Sequence, residues 1–331
     1  MRAAIITRPG GPEVLEIRDV PRPLPREHEV LVQVRASALN RADLLQRAGR
    51  YPAPPGAPAD IPGLEIAGEV ADIGGAVTAW RPGDRVFGIV SGGGNAEFAV
   101  VHEQELARVP AALSWEQAAA IPEAFITAHD ALVTQAGMQR AERVIVHAVG
   151  SGVGLAAVQL IRALGGTSFG TARSGNKIAR ARALGLDAGA AVDDPVTIPD
   201  LVRAWSEGEG ATVALDLVGG AYLPATVEAM APRGRIVLIG LLSGRTATVN
   251  LGTVLSRRLI IRGTVLRTRT AAEKAAATAA FARDVLPLLE RDAVRPVVDS
   301  VFPLERIAEA HALLEANQTF GKVVISHAPD P

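Results

Sequence analysis

Cysteine is absent from the 331 residues, which excludes disulfides, a thiolate nucleophile and every zinc site built on sulfur. Neither sign of charge is in surplus. With 34 Lys and Arg against 35 Asp and Glu, the formal net charge is -1, and there is no electrostatic case for a nucleic-acid partner. The arginines at 257, 258, 262, 267 and 269 read as a solvated face or as cofactor neighbours. An export signal is also wanting, because the apolar run Met1 to Ile6 is halted by Pro9, Gly10 and Gly11; a cytoplasmic location is expected. Val144 to Ile161 is uncharged and long, yet it opens on β-branched residues, breaks at three glycines and resumes with helical spacing. It reads as a buried strand, turn and helix, not a membrane span. What is present is burial capacity: 48% of residues are apolar and 21% charged, enough for a globular chain of about two domains.

The first part of the chain holds short β-rich runs punctuated by Pro and Gly: Val14 to Val20, Val30 to Val34, Ile66 to Ile73, Arg85 to Val90 and Ala96 to Val101. These predict an antiparallel β domain. Pro82-Gly83 ahead of Asp84 supplies the fixed φ and then the positive φ of a type II turn. The tract Tyr51 to Pro62 is too rich in proline for a helix or a central strand and reads as a long surface loop. From about residue 142 the pattern alternates between strand and helix. Strands are expected at 143–149, 167–172, 188–192, 213–217, 235–241 and 259–264, a doubly wound parallel sheet. A helix over Ala271 to Leu289, a strand at Pro296 to Val301, a helix at Leu304 to Ala316 and a strand at Lys322 to Ser326 are expected to return to the first domain.

The strongest chemical signal is Gly150-Ser151-Gly152-Val153-Gly154, placed between a buried strand and the start of a helix. Glycines there let backbone N–H groups approach a pyrophosphate, whose charge the helix N-terminus favours. Leu155 stands where a strict G-x-G-x-x-G would have its last glycine, so the strand and helix context carries the reading. About 20 residues on, an acid would bind the ribose 2′-hydroxyl of NAD. The sequence has Arg173, Ser174 and Lys177 instead, with no carboxylate before Asp187, donors suited to the 2′-phosphate of NADP(H).

Four tracts, Ala38 to Asp43, Ala119 to Ala124, Ser151 to Gly154 and Asn317 to Lys322, resemble the medium-chain dehydrogenase/reductase superfamily, and its zinc-free quinone oxidoreductase branch most. Gly92-Gly93-Gly94 and Arg267-Thr268-Arg269 are most similar to the p53-inducible-type subgroup. The resemblance implies a GroES-like antiparallel β domain, 1–122 and 266–331, and a Rossmann domain, 123–265. It implies NADPH-dependent hydride transfer to a quinone without a metal. The zinc enzymes of the superfamily carry Cys near Asn40 and a Gly-His-Glu where this chain has Gly63-Leu64-Glu65.

On the same resemblance, Asn40 and Tyr51 line the substrate side of the nicotinamide, on a loop over the cleft, with Tyr51 the candidate donor to a developing oxyanion. Thr127 falls near the nicotinamide, Gly150 to Val153 at the pyrophosphate, and Arg173, Ser174 and Lys177 at the 2′-phosphate. Gly240 and Leu241 fall at the ribose edge, and Arg267 and Asn317 at the crossing between domains. Asp43 reads as structural, near Arg41 and Arg47. Relatives often place a Tyr where Val192 stands, which weakens the NADP reading. His147 reads as a buried core histidine. The apolar strand Leu259-Ile260-Ile261 predicts a homodimer through a sheet edge. Two other readings stay open: a double-bond reductase of α,β-unsaturated carbonyls, and a nucleotide-binding protein with little turnover.

Overall fold

The computed structural model describes residues 1–327. The chain forms two units, Met1–Ile126 with 266–331, and Thr127–Val265.

In the first unit the strands are β1 (Arg2–Ile6), β2 (Leu15–Asp19), β3 (Glu29–Ala38), β4 (Glu65–Ile73), β5 (Arg85–Ile89), β6 (Phe98–His102) and β7 (Leu106–Arg108). In the second they are β8 (Arg143–Val146), β9 (Thr167–Ala172), β10 (Ala188–Ala191), β11 (Ala211–Asp216), β12 (Met230–Leu238) and β13 (Ile260–Gly263). Two more, β14 (Val298–Pro303) and β15 (Lys322–Ser326), belong to the first unit. Its main sheet runs β14-β15-β3-β4-β5-β7, with β6 also paired to β3, while β1 and β2 form a separate hairpin.

Every pairing along the main sheet is antiparallel except β14 with β15, which is parallel. The strands of the first part of the chain pair antiparallel, as expected, and the returning β14 adds one parallel pair at the edge. The reason is the connection: the helix Ile307–Glu315 lies between β14 and β15, and a crossover of this kind brings the second strand back parallel to the first. Valines at 30, 32 and 34 of β3 pack with Ile66, Val70, Val86 and Val101 to form the core of this unit. Gly83 has φ +91° and Asp84 N donates to Arg81 O at 3.1 Å, the turn expected at Pro82-Gly83.

The second unit is a six-stranded sheet in the order β10-β9-β8-β11-β12-β13, parallel throughout. This is the doubly wound arrangement, whose strand order reverses beside β8, and ligands bind at such a switch point beyond the carboxyl ends of the strands. Ile145, Phe169, Val202, Val227 and Ile236 belong to the core between this sheet and its helices.

The expected helix over Ala271 to Leu289 is two helices, Ala271–Asp284 and Leu286–Glu290. Pro287 explains the break: it has no N–H to donate into the preceding turn, and it sits where the first turn of a new helix tolerates it. The first of these helices starts at a reciprocal cap, with Thr270 Oγ1 accepting from Glu273 N and the Glu273 carboxylate from Thr270 N.

Candidate active site

In the second unit β8 ends one turn before Ser151, whose Oγ accepts from Gly154 N at 3.1 Å and caps the helix Gly152–Ala163. The first N–H groups of a helix have no acceptor within it, which leaves those at Gly152 and Val153 to an anion. Close packing against backbone forces glycine at Gly154, whereas the neighbour of Gly150 is the flexible Lys177 stem. A Cβ on Gly154 would lie 2.7 Å from Ala148 O and 2.8 Å from the Val149 backbone, and one on Gly150 would lie 3.0 Å from Lys177 Cδ. The second contact ties the glycine turn to the basic segment, since the Lys177 stem lies against Gly150.

Ser174 caps the helix Gly175–Arg182 through Lys177 N, while Arg173 is exposed. Asp187, the first carboxylate after β9, accepts from Ser168 N at 2.8 Å and from Ser168 Oγ at 3.2 Å. It is committed to holding β9. Val192 is buried in the core and offers nothing to a nucleotide. A phenol comes from Tyr222, which sequence reasoning missed: its ring meets His147 edge-on at 5.2 Å between centroids. Burial raises the Tyr222 pKa, partly offset by the charge of Arg173. His147 is fully buried between Thr171 and Thr226, at 2.9 and 2.8 Å. Thr226 donates its own proton to Tyr222 O, so His147 Nε2–H donates to Thr226 and Nδ1 accepts from Thr171. Burial lowers the His147 pKa and keeps the ring neutral.

Gly240 lies over Leu217, whose carbonyl would be 2.5 Å from a Cβ there, and Leu241 is exposed and packs on Gly219. The turn between them and β11 is held by Asp216, buried, with Oδ1 accepting from Val218 N and Gly219 N at 2.8 Å each. The sequence offered a signal for this turn in Asp216-Leu217-Val218-Gly219-Gly220, an acid just before a glycine pair. Thr127 opens the second unit, partly exposed.

The first unit contains a different cluster. Lys322, buried at 5% exposure, spends all three donors: on Leu39 O at 2.8 Å, on Asn40 Oδ1 at 2.6 Å and on Glu65 Oε1 at 2.6 Å. Glu65 is fully buried, and accepts also from Asn40 Nδ2 at 2.9 Å and, through Oε2, from Glu123 N at 2.8 Å. Asp43 accepts from Asn40 N at 2.7 Å and Gly63 N at 2.9 Å, and burial pushes its carboxyl up to about 6. Asp43 is thus structural, as expected. Arg47, however, is directed to Gly10 O, His311 and Glu315.

Glu123 is partly exposed, but its Oε2 is sealed without a partner. Burial first, and then the charge of Glu65, push this carboxyl up to about 8. Tyr51 lies under Arg267, whose guanidinium carbon is 4.9 Å from the ring centroid. Arg267 is buried and donates to Ser91 O, Tyr51 O and Gln46 Oε1, so it fastens the proline-rich loop on which Tyr51 sits. Burial raises the Tyr51 pKa, and the hydroxyl keeps its proton at neutral pH. Asn317 ends the helix Ile307–Glu315 in a left-handed conformation, φ +59°, with Nδ2 donating to Glu315 O.

The structure therefore brings Asn40, Tyr51 and Arg267 into the first unit with the missed residues Glu65, Glu123 and Lys322, and brings the glycine turn and the basic segment together in the second. Glu123 and Lys322 lie inside tracts that carry the sequence resemblance, but a carboxyl and an ammonium in sequence give no sign of being buried together.

The descriptions of two families match, the alcohol dehydrogenase GroES-like domain over residues 26–111 and the zinc-binding dehydrogenase over 186–325. The quinone oxidoreductase of Pseudomonas aeruginosa is 35% identical, over 96% of this chain and 96% of that protein. The chain belongs to the quinone oxidoreductases of the medium-chain dehydrogenase/reductase superfamily. Among solved structures, an NAD-dependent alcohol dehydrogenase superposes on this chain with a TM-score of 0.86 at 34% identity, over 99% of this chain and 100% of that one. A mycobacterial protein complexed with NADPH superposes with a TM-score of 0.86 at 28% identity, over 98% and 99%.

Proposed function

We propose that this oxidoreductase is an NADPH-dependent quinone reductase that works without a metal. The observation that carries the reading is the buried Lys322 ammonium, bonded at once to Leu39 O, Asn40 and Glu65. It fills with a fixed positive charge the donor set a divalent ion would need, and an ion beside it would be strongly repelled. An acceptor that needs no Lewis acid fits such a site, and an activated quinone is one.

The glycine turn and helix N-terminus fit a pyrophosphate, and Arg173, Ser174 and Lys177 fit a 2′-phosphate, with Asp187 turned away to Ser168. When bound, the reduced nicotinamide supplies the hydride. Tyr51, its proton retained by burial and its ring held by Arg267, donates a hydrogen bond to the oxygen on which charge develops. Asn40, with Nδ2 on Glu65 and Oδ1 on Lys322, positions that cluster. Arg267 acts through Tyr51, and Asn317 through the end of its helix.

The test is a pair of Michaelis constants. Lys177→Ala raises KM for NADPH by about tenfold, the loss expected for one charge-assisted phosphate contact, and leaves KM for NADH nearly unchanged. Equal effects on both nucleotides would remove the phosphate role.

A further inference from the structure

Glu123 has no part in the mechanism above, and its surroundings are unusual for a carboxyl. Its backbone N–H is spent on Glu65, its Oε2 is sealed from water with no donor, and the side chain is still partly exposed. A buried oxygen without a donor cannot stabilise a negative charge, so the neutral acid is the favoured form. The groups that act on it come from every neighbouring element: Glu65 on β4 and Asp43 on the helix Arg41–Arg47 oppose ionisation, and Lys322 on β15 and Arg267 favour it.

We propose that Glu123 is the proton donor of this site, giving its carboxyl proton to the oxygen of a quinone as hydride arrives. The inference rests on the quinone reductase reading. The balance is simple. The hydride that the reduced nicotinamide would supply carries its electron pair to the quinone and forms one new bond there, reducing the quinone by two electrons as the nicotinamide is oxidised. The O–H bond of Glu123 breaks and a new O–H bond forms on the product. The carboxylate left behind is steadied by the Lys322 and Arg267 charges and takes its next proton from solvent on its partly exposed side, Oε2 being sealed. A carboxyl held near 8 has its proton at neutral pH and yields it readily, the match a general acid needs.

Two measurements test this, beginning with an infrared titration of the protein free of nucleotide. A protonated-carboxyl band fades with a midpoint near 8 in the wild type and is missing in Glu123→Gln; no such band in the wild type overturns the proposal. The second is the pH profile of kcat with NADPH and a quinone. The wild-type rate falls as pH rises through about 8, because the acid form is lost. Glu123→Gln lowers kcat by about 100-fold and removes that fall, while Tyr51→Phe lowers the rate and keeps it. A Glu123→Gln enzyme that retains wild-type kcat or the alkaline fall overturns the proposal alone. A wild type that reduces no quinone overturns the reductase reading and this proposal with it.

Discussion

At the scale of single residues, the first unit is organised around buried charge. Glu65 and Lys322 are an ion pair with every donor of the lysine engaged. Removing one partner of such a pair leaves the other charged and unsolvated, so Lys322→Met lowers unfolding free energy by about 3–5 kcal/mol, measurable by urea denaturation. A loss below about 1 kcal/mol, the range of exposed pairs, would show that the pair is not sealed. Neither residue stands out in the sequence, because burial of a charge depends on β15 returning beside β3 from the far end of the chain. Asn40, Tyr51 and Arg267 were legible only through resemblance to a family; their actual partners, Glu65, Gln46 and Ser91, came from the fold.

At the scale of elements, the glycine turn was the most legible feature, because strand, turn and helix follow one another within a short span of sequence. Its packing supports a sharp expectation: the Cβ of Gly154→Ala would overlap the backbone of residues 148 and 149. Overpacking of this kind costs about 1–3 kcal/mol, and calorimetry should show a lower Tm together with weakened NADPH binding. Unchanged Tm and affinity would mean the turn has slack. Elements were misjudged where local chemistry overrode pattern. Pro287 divided a helix that the alanine-rich spacing had joined, and β7, three residues long, is too short for alternation to register. The succession of short helical turns between Trp115 and Gln135 has no regular period, and no sequence pattern announced it.

At the scale of the whole molecule, the parallel sheet ends at β13, whose Ile260 and Ile261 are 50% and 36% exposed, beside the exposed Leu251 and Leu255 of the preceding helix. An apolar edge of this kind pairs with another copy or aggregates. A homodimer is the expected state, and light scattering at micromolar concentration that returns a monomer mass would refute it. Among the described residues no helix is long and apolar enough to cross a membrane.

Stability toward acid is also a property of the whole chain. Burial holds His311 and His327 neutral, with pKa values down to about 3 from 6.5. Their contribution is complete above the unfolded value and is lost as pH falls from about 6.5 toward 3, at about 1.4 kcal/mol per pH unit for each ring. Replacing His327 with Gln should therefore make the acid side of the stability curve shallower by about that slope. An unaltered slope in urea denaturation would show that the ring titrates normally.

The most direct test of metal-free, NADPH-dependent quinone reduction is the loss of reduced-nicotinamide absorbance with 1,2-naphthoquinone, before and after exhaustive chelation, with NADPH and NADH in parallel. The account predicts quinone-dependent oxidation that survives chelation unchanged and runs at lower KM with NADPH. Oxidation abolished by the chelator and restored by zinc, or no oxidation with any quinone, would contradict it.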